Sequence, residues 1–292
     1  MFNTIVLATD LSPASNVLVE CVMGFKALGV KKVFLTYAMG IRHLDDLKHV
    51  IAAQVEPFLL DQQKKLADQG LDVSIELAPA APSEEIRRVA DEKDASLIVI
   101  GSHGESMAEH ALFKFGGTAS EVLHSFTRPL LLVRTHIVRK GLEICAEGTC
   151  ANYLDNILYC TDFSDTAQRA FEYVEGLVEA GCKHVTIMHV QDKARIDKHL
   201  AHKLDEFNRI DMERIAMRQE RLARKGATDI QVRMPYGMPS EEILNEIEVG
   251  NYSLVVMGSQ GRGFVRQLFL GSVSHNIARH AGVSVLLIPA IR

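Results

Sequence analysis

The amino-acid sequence predicts an α/β protein of two tandem doubly wound domains, each with a five-stranded parallel sheet flanked by helices. Three observations carry this reading. Short apolar runs alternate with amphipathic stretches along all 292 residues, the pattern of strands covered on both faces by helices. Blocks recur in one register: residues 5–12 match 157–164 around a shared Thr-Asp, 29–35 match 181–187, and Pro-Ser-Glu-Glu-Ile stands at 82–86 and again at 239–243. Each half also ends an apolar run in glycines, Gly101 and Gly104 in the first and Gly258 and Gly261 in the second. The expected division is 1–137, a linker over 138–152, and 153–292, two copies of ordinary domain size.

The second copy reads most clearly. Residues 157–160 form a short apolar strand, and Ser164-Asp165 caps a helix whose Ala170, Phe171, Val174, Leu177 and Val178 recur at helical spacing. Gly181 ends it. Residues 185–190 form the next strand, followed by a long charged helix to about Arg224, with Leu200, Leu204, Phe207, Ile210 and Ile215 along one face and Gly226 as its stop. Residues 230–234 alternate and read as a strand near an edge. Ser240 is expected to cap the following helix, with two acids in its first turn complementing the helix dipole. Residues 254–257 give the fourth strand, 273–280 a helix and 283–288 the fifth strand.

Ligands of such sheets bind beyond the carboxyl ends of the strands, near the switch in strand order. On that rim the sequence places Cys160, Thr161 and Asp162 at the carboxyl end of the first strand, His189 and Val190 at the end of the second, and Met257, Gly258, Gln260 and Gly261 at the end of the fourth. Gly271, Ser272 and Val273 open the next helix. An acid there suits ribose hydroxyls, Val190 offers an apolar wall for a base, and a glycine loop beside a helix N-terminus aims main-chain N–H groups at phosphate. Against this stand plainer readings: a glycine loop as a tight turn, and Asp162 as a cap on its own loop. The doubled Pro-Ser-Glu-Glu-Ile reads as helix capping rather than chemistry.

These residues carry a resemblance to the universal stress protein family, in tandem form, over nearly the whole chain. The family's signature is Gly, two residues, Gly, nine residues, then Gly-Ser or Gly-Thr; Gly258, Gly261, Gly271 and Ser272 match it in full. The resemblance implies ATP or AMP in the second domain, with magnesium accompanying ATP, dimer-like association of domains and a role in stress survival. It makes Thr161 and Asp162 adenosine contacts, Val190 an adenine contact, and Met257 to Gly261 with Gly271 to Val273 a phosphate cradle.

The first half departs from this pattern. Eleven residues separate Gly104 from Gly116, Gly117 stands in place of a hydroxyl residue, and Tyr37-Ala38 replaces His189-Val190. Thr9, Asp10, Gly101, Gly104, Gly116 and Gly117 therefore form a weaker or empty candidate site. His103, inside that loop, is either a phosphate donor or surface, and Arg262 and Arg266 either reach a terminal phosphate or are solvated. His199, His202 and Asp205 share a helix face, as charged helices often arrange, and no metal site is assigned. Cys21, Cys160 and Cys182 fall on core elements as small apolar residues, while Cys145 and Cys150 share the linker, where a reversible disulfide is one alternative.

A net charge of −5 gives no electrostatic reason to expect nucleic acid, no apolar run approaches membrane-spanning length, and no leader is visible, so the expectation is a cytoplasmic protein. The two domains are expected to pair like a homodimer within one chain, residues 130–133 beside 285–288, with further association into homo-oligomers. Two functional classes follow: a nucleotide-binding regulatory module, or a slow ATPase or autokinase using the same site. The chain lacks the Gly-Lys-Ser/Thr ending of a P-loop, and no general base is evident beside the cradle, which favours binding over turnover. A third class, an apolar-ligand carrier in the first half, would need a cavity.

Overall fold

In each half the apolar runs become parallel strands, and the first strand lies between the second and the fourth. The computed structural model describes residues 1–40, 45–102, 117–140, 143–148, 152–197, 201–262 and 270–290. His103, Gly104, Gly116, Cys150, His199, Leu200 and Arg266 lie outside the described residues. The chain divides into two compact units, Met1–Asn152 and Tyr153–Arg292.

In the first unit, β1 (Thr4–Ala8), β2 (Lys32–Ala38), β3 (Asp72–Ala78), β4 (Leu97–Gly101) and β5 (Leu130–Val133) are ordered β5-β4-β1-β2-β3, every pairing parallel. Helices α1 (Pro13–Glu20), α2 (Val22–Ala27), α3 (Asp45–Ala67), α4 (Pro82–Glu92) and α5 (Gly117–Leu123) supply the crossovers. An antiparallel hairpin, β6 (Thr135–Lys140) with β7 (Glu143–Gly148), begins just before the stretch read as a linker and runs into it, packing on α1. Cys21, expected as a small apolar core residue, is buried as read but is disulfide-bonded. Cys160 and Cys182 are buried free thiols as read.

The second unit repeats the plan with β8 (Ile157–Cys160), β9 (His184–Met188), β11 (Asp229–Arg233), β13 (Leu254–Gly258) and β14 (Ser284–Ile288), ordered β11-β9-β8-β13-β14 and again parallel. β8, β13 and β14 are buried throughout, whereas β11, at the end of this order, alternates exposed and half-buried residues. Ser164 caps α6 (Asp165–Glu179), its hydroxyl accepting from the Ala167 N–H at 3.3 Å. Ala170, Phe171, Val174, Leu177 and Val178 form the buried face of that helix.

Two local expectations change. The long charged helix is preceded by a detour: β10 (Gln191–Asp192), α7 (Lys193–Ile196) and a turn at Ala201–Lys203 come before α8 (Leu204–Lys225). β10 pairs with β12 (Tyr236–Gly237), a short parallel ladder beyond the ends of β9 and β11. Ser240 is not a cap, because α9 (Pro239–Val249) begins one residue earlier, with Pro239 in the first turn and Met238 at the cap position. Proline fits there because the N–H it lacks would have had no helical partner.

The core has a titration signature. Tyr159 is fully buried and donates its hydroxyl to the Ala167 carbonyl at 2.7 Å. Burial, only partly offset by hydrogen bonding and nearby Arg218, pushes its phenol up to about 12. The folded state thus holds the proton more tightly, so the contribution is intact below about pH 10 and is lost as pH rises through about 12, roughly 2–3 kcal/mol in all. Urea midpoints should fall across that window, and Tyr159→Phe should flatten the fall. An equally steep decline in the variant would refute the assignment.

Candidate functional site

The site forms at the carboxyl ends of β8, β9 and β13, where the strand order switches, with α10 (Ser272–His280) closing one side. Gly258 ends β13 against the start of α6: a Cβ there would stand 2.8 Å from the Thr166 carbonyl carbon and 2.9 Å from the Ala167 nitrogen, so only glycine fits. The chain is then held by hydroxyls. Thr166 donates to the Gln260 carbonyl, and Ser274 donates to the Gly258 carbonyl at 2.8 Å, fastening α10 to the strand end.

Gly271 is different. Its φ of −74° and ψ of 156° are open to any residue, and a Cβ would meet its nearest neighbours at an ordinary 3.5–3.7 Å. Among the described residues no side chain caps α10, so the N–H groups of its first turn, at the cavity-lining Ser272, Val273 and Ser274, have no intrahelical partner. Together with Gly258, Gln260, Gly261 and Ser272 this makes a donor-rich end suited to an anion.

Asp162 joins the two halves of the rim. Its Oδ1 accepts from the Ser164 N–H at 3.0 Å and its Oδ2 from the Arg262 N–H at 2.8 Å, so the carboxylate latches the glycine loop to the β8–α6 turn. Both the loop-capping reading and the rim position are therefore realised, and the carboxylate's remaining lone pairs still border the cavity. The turn needs a left-handed residue, Phe163 at φ 59°. Thr161 is buried, and its hydroxyl accepts from the Phe163 N–H at 3.1 Å.

The opposite end is apolar. Cys160, Met188, Val190, Ile196, Ile243 and Met257 line it, within a cavity of about 650 Å³ shared with the glycine end. That volume suits a ligand of nucleotide size. Burial pushes the Cys160 thiol well above its ordinary range, so it is wall and not nucleophile. His189 and Gln191 donate main-chain N–H groups to the Arg233 and Pro235 carbonyls at 3.0 and 2.9 Å, which fixes the segment carrying Val190. All eleven residues expected from the sequence, Cys160, Thr161, Asp162, Val190, Met257, Gly258, Gln260, Gly261, Gly271, Ser272 and Val273, line this one cavity.

Sequence reasoning missed the wall supplied by α7 and α8: Arg195, Phe207, Ile210, Asp211 and Arg214. Asp211 is buried, accepting from Gln191 at 3.0 Å and Arg214 at 3.1 Å, and lies 3.3 Å from His189 Nε2; His189 Nδ1 is 2.8 Å from the Thr161 carbonyl. Burial pushes the Asp211 carboxyl up, but the hydrogen bond and charge of His189, with Gln191 and Arg214, outweigh it and hold the group below its ordinary range. The apolar spacing of Phe207 and Ile210 was the available signal for α8 as a packed face.

In the first unit, Thr9, Asp10 and Gly101 occupy the equivalent strand ends, and Gly117 opens α5. Asp10 is used otherwise: its Oδ1 accepts from the Ser12 N–H at 3.1 Å and from the Ser15 hydroxyl. The second repeat has Ala167 where the first has Ser15, which leaves Asp162 without that local hydroxyl and available to the glycine loop.

Comparison with known proteins identifies the family of the repeated domain. The model of the universal stress protein family matches residues 1–134 and again 154–289. Universal stress protein MJ0577 of Methanocaldococcus jannaschii is 29% identical over 154 residues, 45% of this chain and 93% of that protein. Universal stress protein YxiE of Bacillus subtilis is 26% identical over 145 residues, 46% of this chain and 98% of that protein. Among solved structures, a universal stress protein from Archaeoglobus fulgidus covers 99% of this chain, with 98% of its own length matched, at 24% identity and a TM-score of 0.73, a likeness of fold. Since the family model accounts for both halves, the chain belongs to the universal stress protein family and carries two copies of its domain in tandem.

Proposed function

We propose that the second domain binds an adenine nucleotide, ATP or AMP, and that occupancy regulates a stress response in the cytoplasm through the tandem pair and its homo-oligomers. The observation that supports this most is the shared cavity: an uncapped helix N-terminus and glycine loop at one end, an apolar base-sized end at the other, and the Asp162 carboxylate between them. Magnesium would accompany ATP and add charge compensation at the phosphates.

Slow ATP hydrolysis or autophosphorylation is the competing reading. Against it, the carboxylates of the cavity are committed to structure: Asp162 to two main-chain N–H groups, Asp192 to capping α7 and to Arg195, and Asp211 to His189, Gln191 and Arg214. None is set as an open general base among the described residues. The first domain, with Asp10 drawn to Ser15, is expected to hold nucleotide weakly or not at all.

The test is to denature purified protein and count released nucleotide per chain by mass spectrometry, with titration of ATP, ADP and AMP. One adenine nucleotide per chain is expected. Two would refute the asymmetry between domains, and none, with no binding on titration, would refute the proposal. Sustained phosphate release with magnesium would shift the assignment to an enzyme.

A further inference from the structure

Three guanidinium groups converge on one phenyl ring beside the glycine loop. The guanidinium carbons of Arg218, Arg214 and Arg262 lie 4.8, 5.2 and 5.7 Å from the centroid of Phe163, the left-handed residue of the β8–α6 turn. Two arrive from α8 and the third follows Gly261 directly. Arg214 is paired with Asp211, but Arg218 and Arg262 have no carboxylate partner among the described residues. Arg218 instead donates to the Arg214 carbonyl and the Gln168 side-chain oxygen, at 3.1 and 3.0 Å, and its buried Nε has no hydrogen-bond partner among the described residues.

Like charges gathered this closely repel, and the ring's negative face offsets only part of that cost. Two uncompensated cations therefore remain in the cluster: Arg262, which lines the cavity together with Arg214, Gly258, Gly261 and Ser272, and Arg218, which is outside that lining and adds its charge across the Phe163 ring. An anion completes such a cluster, and guanidinium forks match phosphate oxygens. A single phosphate would be served by the α10 N-terminus alone, whereas a longer chain of phosphates would have Arg262, beside Gly261 on the same lining, as a further partner.

We infer that Arg214, Arg218 and Arg262, assembled on Phe163, form a subsite for the terminal phosphates of an adenosine polyphosphate, so that the second domain prefers ATP to AMP. This rests on the nucleotide reading above and specifies which nucleotide the site selects.

Two variants test it without disturbing the core. Arg262 is exposed, so Arg262→Gln removes one guanidinium at little structural cost. Phe163→Leu disperses the cluster, and leucine is compatible with that backbone because Leu11 holds the same turn in the first repeat at φ 62°. Wild-type protein at low salt should bind ATP at least about tenfold more tightly than AMP; the ratio of the two dissociation constants should drop about tenfold in Arg262→Gln and about threefold in Phe163→Leu. Inorganic triphosphate, titrated alone, separates this inference from the nucleotide reading. If no nucleotide binds but triphosphate does, and Arg262→Gln abolishes it, the anion subsite stands and the nucleotide reading falls. A wild-type ratio near one, a ratio that Arg262→Gln leaves unmoved, or triphosphate binding indifferent to both variants would overturn the inference.

Discussion

Gly261→Val is expected to leave the second domain folded and to empty it of nucleotide. A Cβ at Gly261 would stand 2.6 Å from Asp162 Oδ2, the movable end of a side chain, so the clash is relieved by Asp162 swinging away. That movement breaks the 2.8 Å bond to the Arg262 N–H and releases the glycine loop, while the valine methyls take up cavity space in front of the α10 N-terminus. Loss of one such bond costs about 1 kcal/mol of stability, a shift of a few degrees in Tm. Binding suffers more, because phosphate, loop amides and Asp162 are disturbed together: affinity should fall more than about 100-fold, near 3 kcal/mol. Gly258→Ala is the contrasting control. Its Cβ meets the backbone of α6, which cannot yield, so destabilisation of about 2–3 kcal/mol accompanies any loss of ligand. Gly261→Val with wild-type nucleotide content and affinity would show that the loop is only a turn.

What the sequence made legible, and what it hid, divides along the range of the forces involved. The repeat, the strand ends and the glycine spacing are local patterns, and each implies a backbone geometry without reference to the rest of the chain. Thr161, Asp162, Val190 and Gly258 could thus be assigned to one rim because parallel strands put their carboxyl ends together, and Gly271 joined them through the glycine spacing. Ser240 was misread because two capping signals compete there and Pro239 wins the first helical position. Asp211 and Arg214 were not legible, since acids and arginines on a charged helix usually face water. Their approach to His189 depends on the detour through β10 and α7, whose pairing with β12 is set by tertiary packing. The fate of Asp10 turned on one hydroxyl at Ser15, a difference visible in the repeat alignment but meaningful only once the helix start places that hydroxyl on the carboxylate.

Asp211→Ala is the substitution expected to cost the second domain most stability outside its apolar core. The carboxylate accepts from Gln191 and Arg214 and lies against His189, all within 3.3 Å, and only 6% of the residue is exposed. Alanine leaves these donors facing a void that water reaches poorly, a loss of about 3–4 kcal/mol and roughly 6–12 °C in Tm. Asp211→Asn separates shape from charge: it keeps one acceptor oxygen but loses the ion pairs, and should cost about half as much. The pH dependence has a fixed sign. The folded-state carboxyl is held below its ordinary range, so its contribution is present above the unfolded value of about 3.9 and disappears as pH falls through the lower folded value. Wild-type stability measured by urea should therefore drop more steeply below about pH 4 than that of Asp211→Asn, which has no proton to gain there. Because Gln191 and His189 flank Val190, slackening this network should also weaken base contact, and nucleotide affinity should decline in parallel with Tm. Identical melting of wild type and Asp211→Ala would mean that α8 is held against α6 and β11 by its apolar face alone.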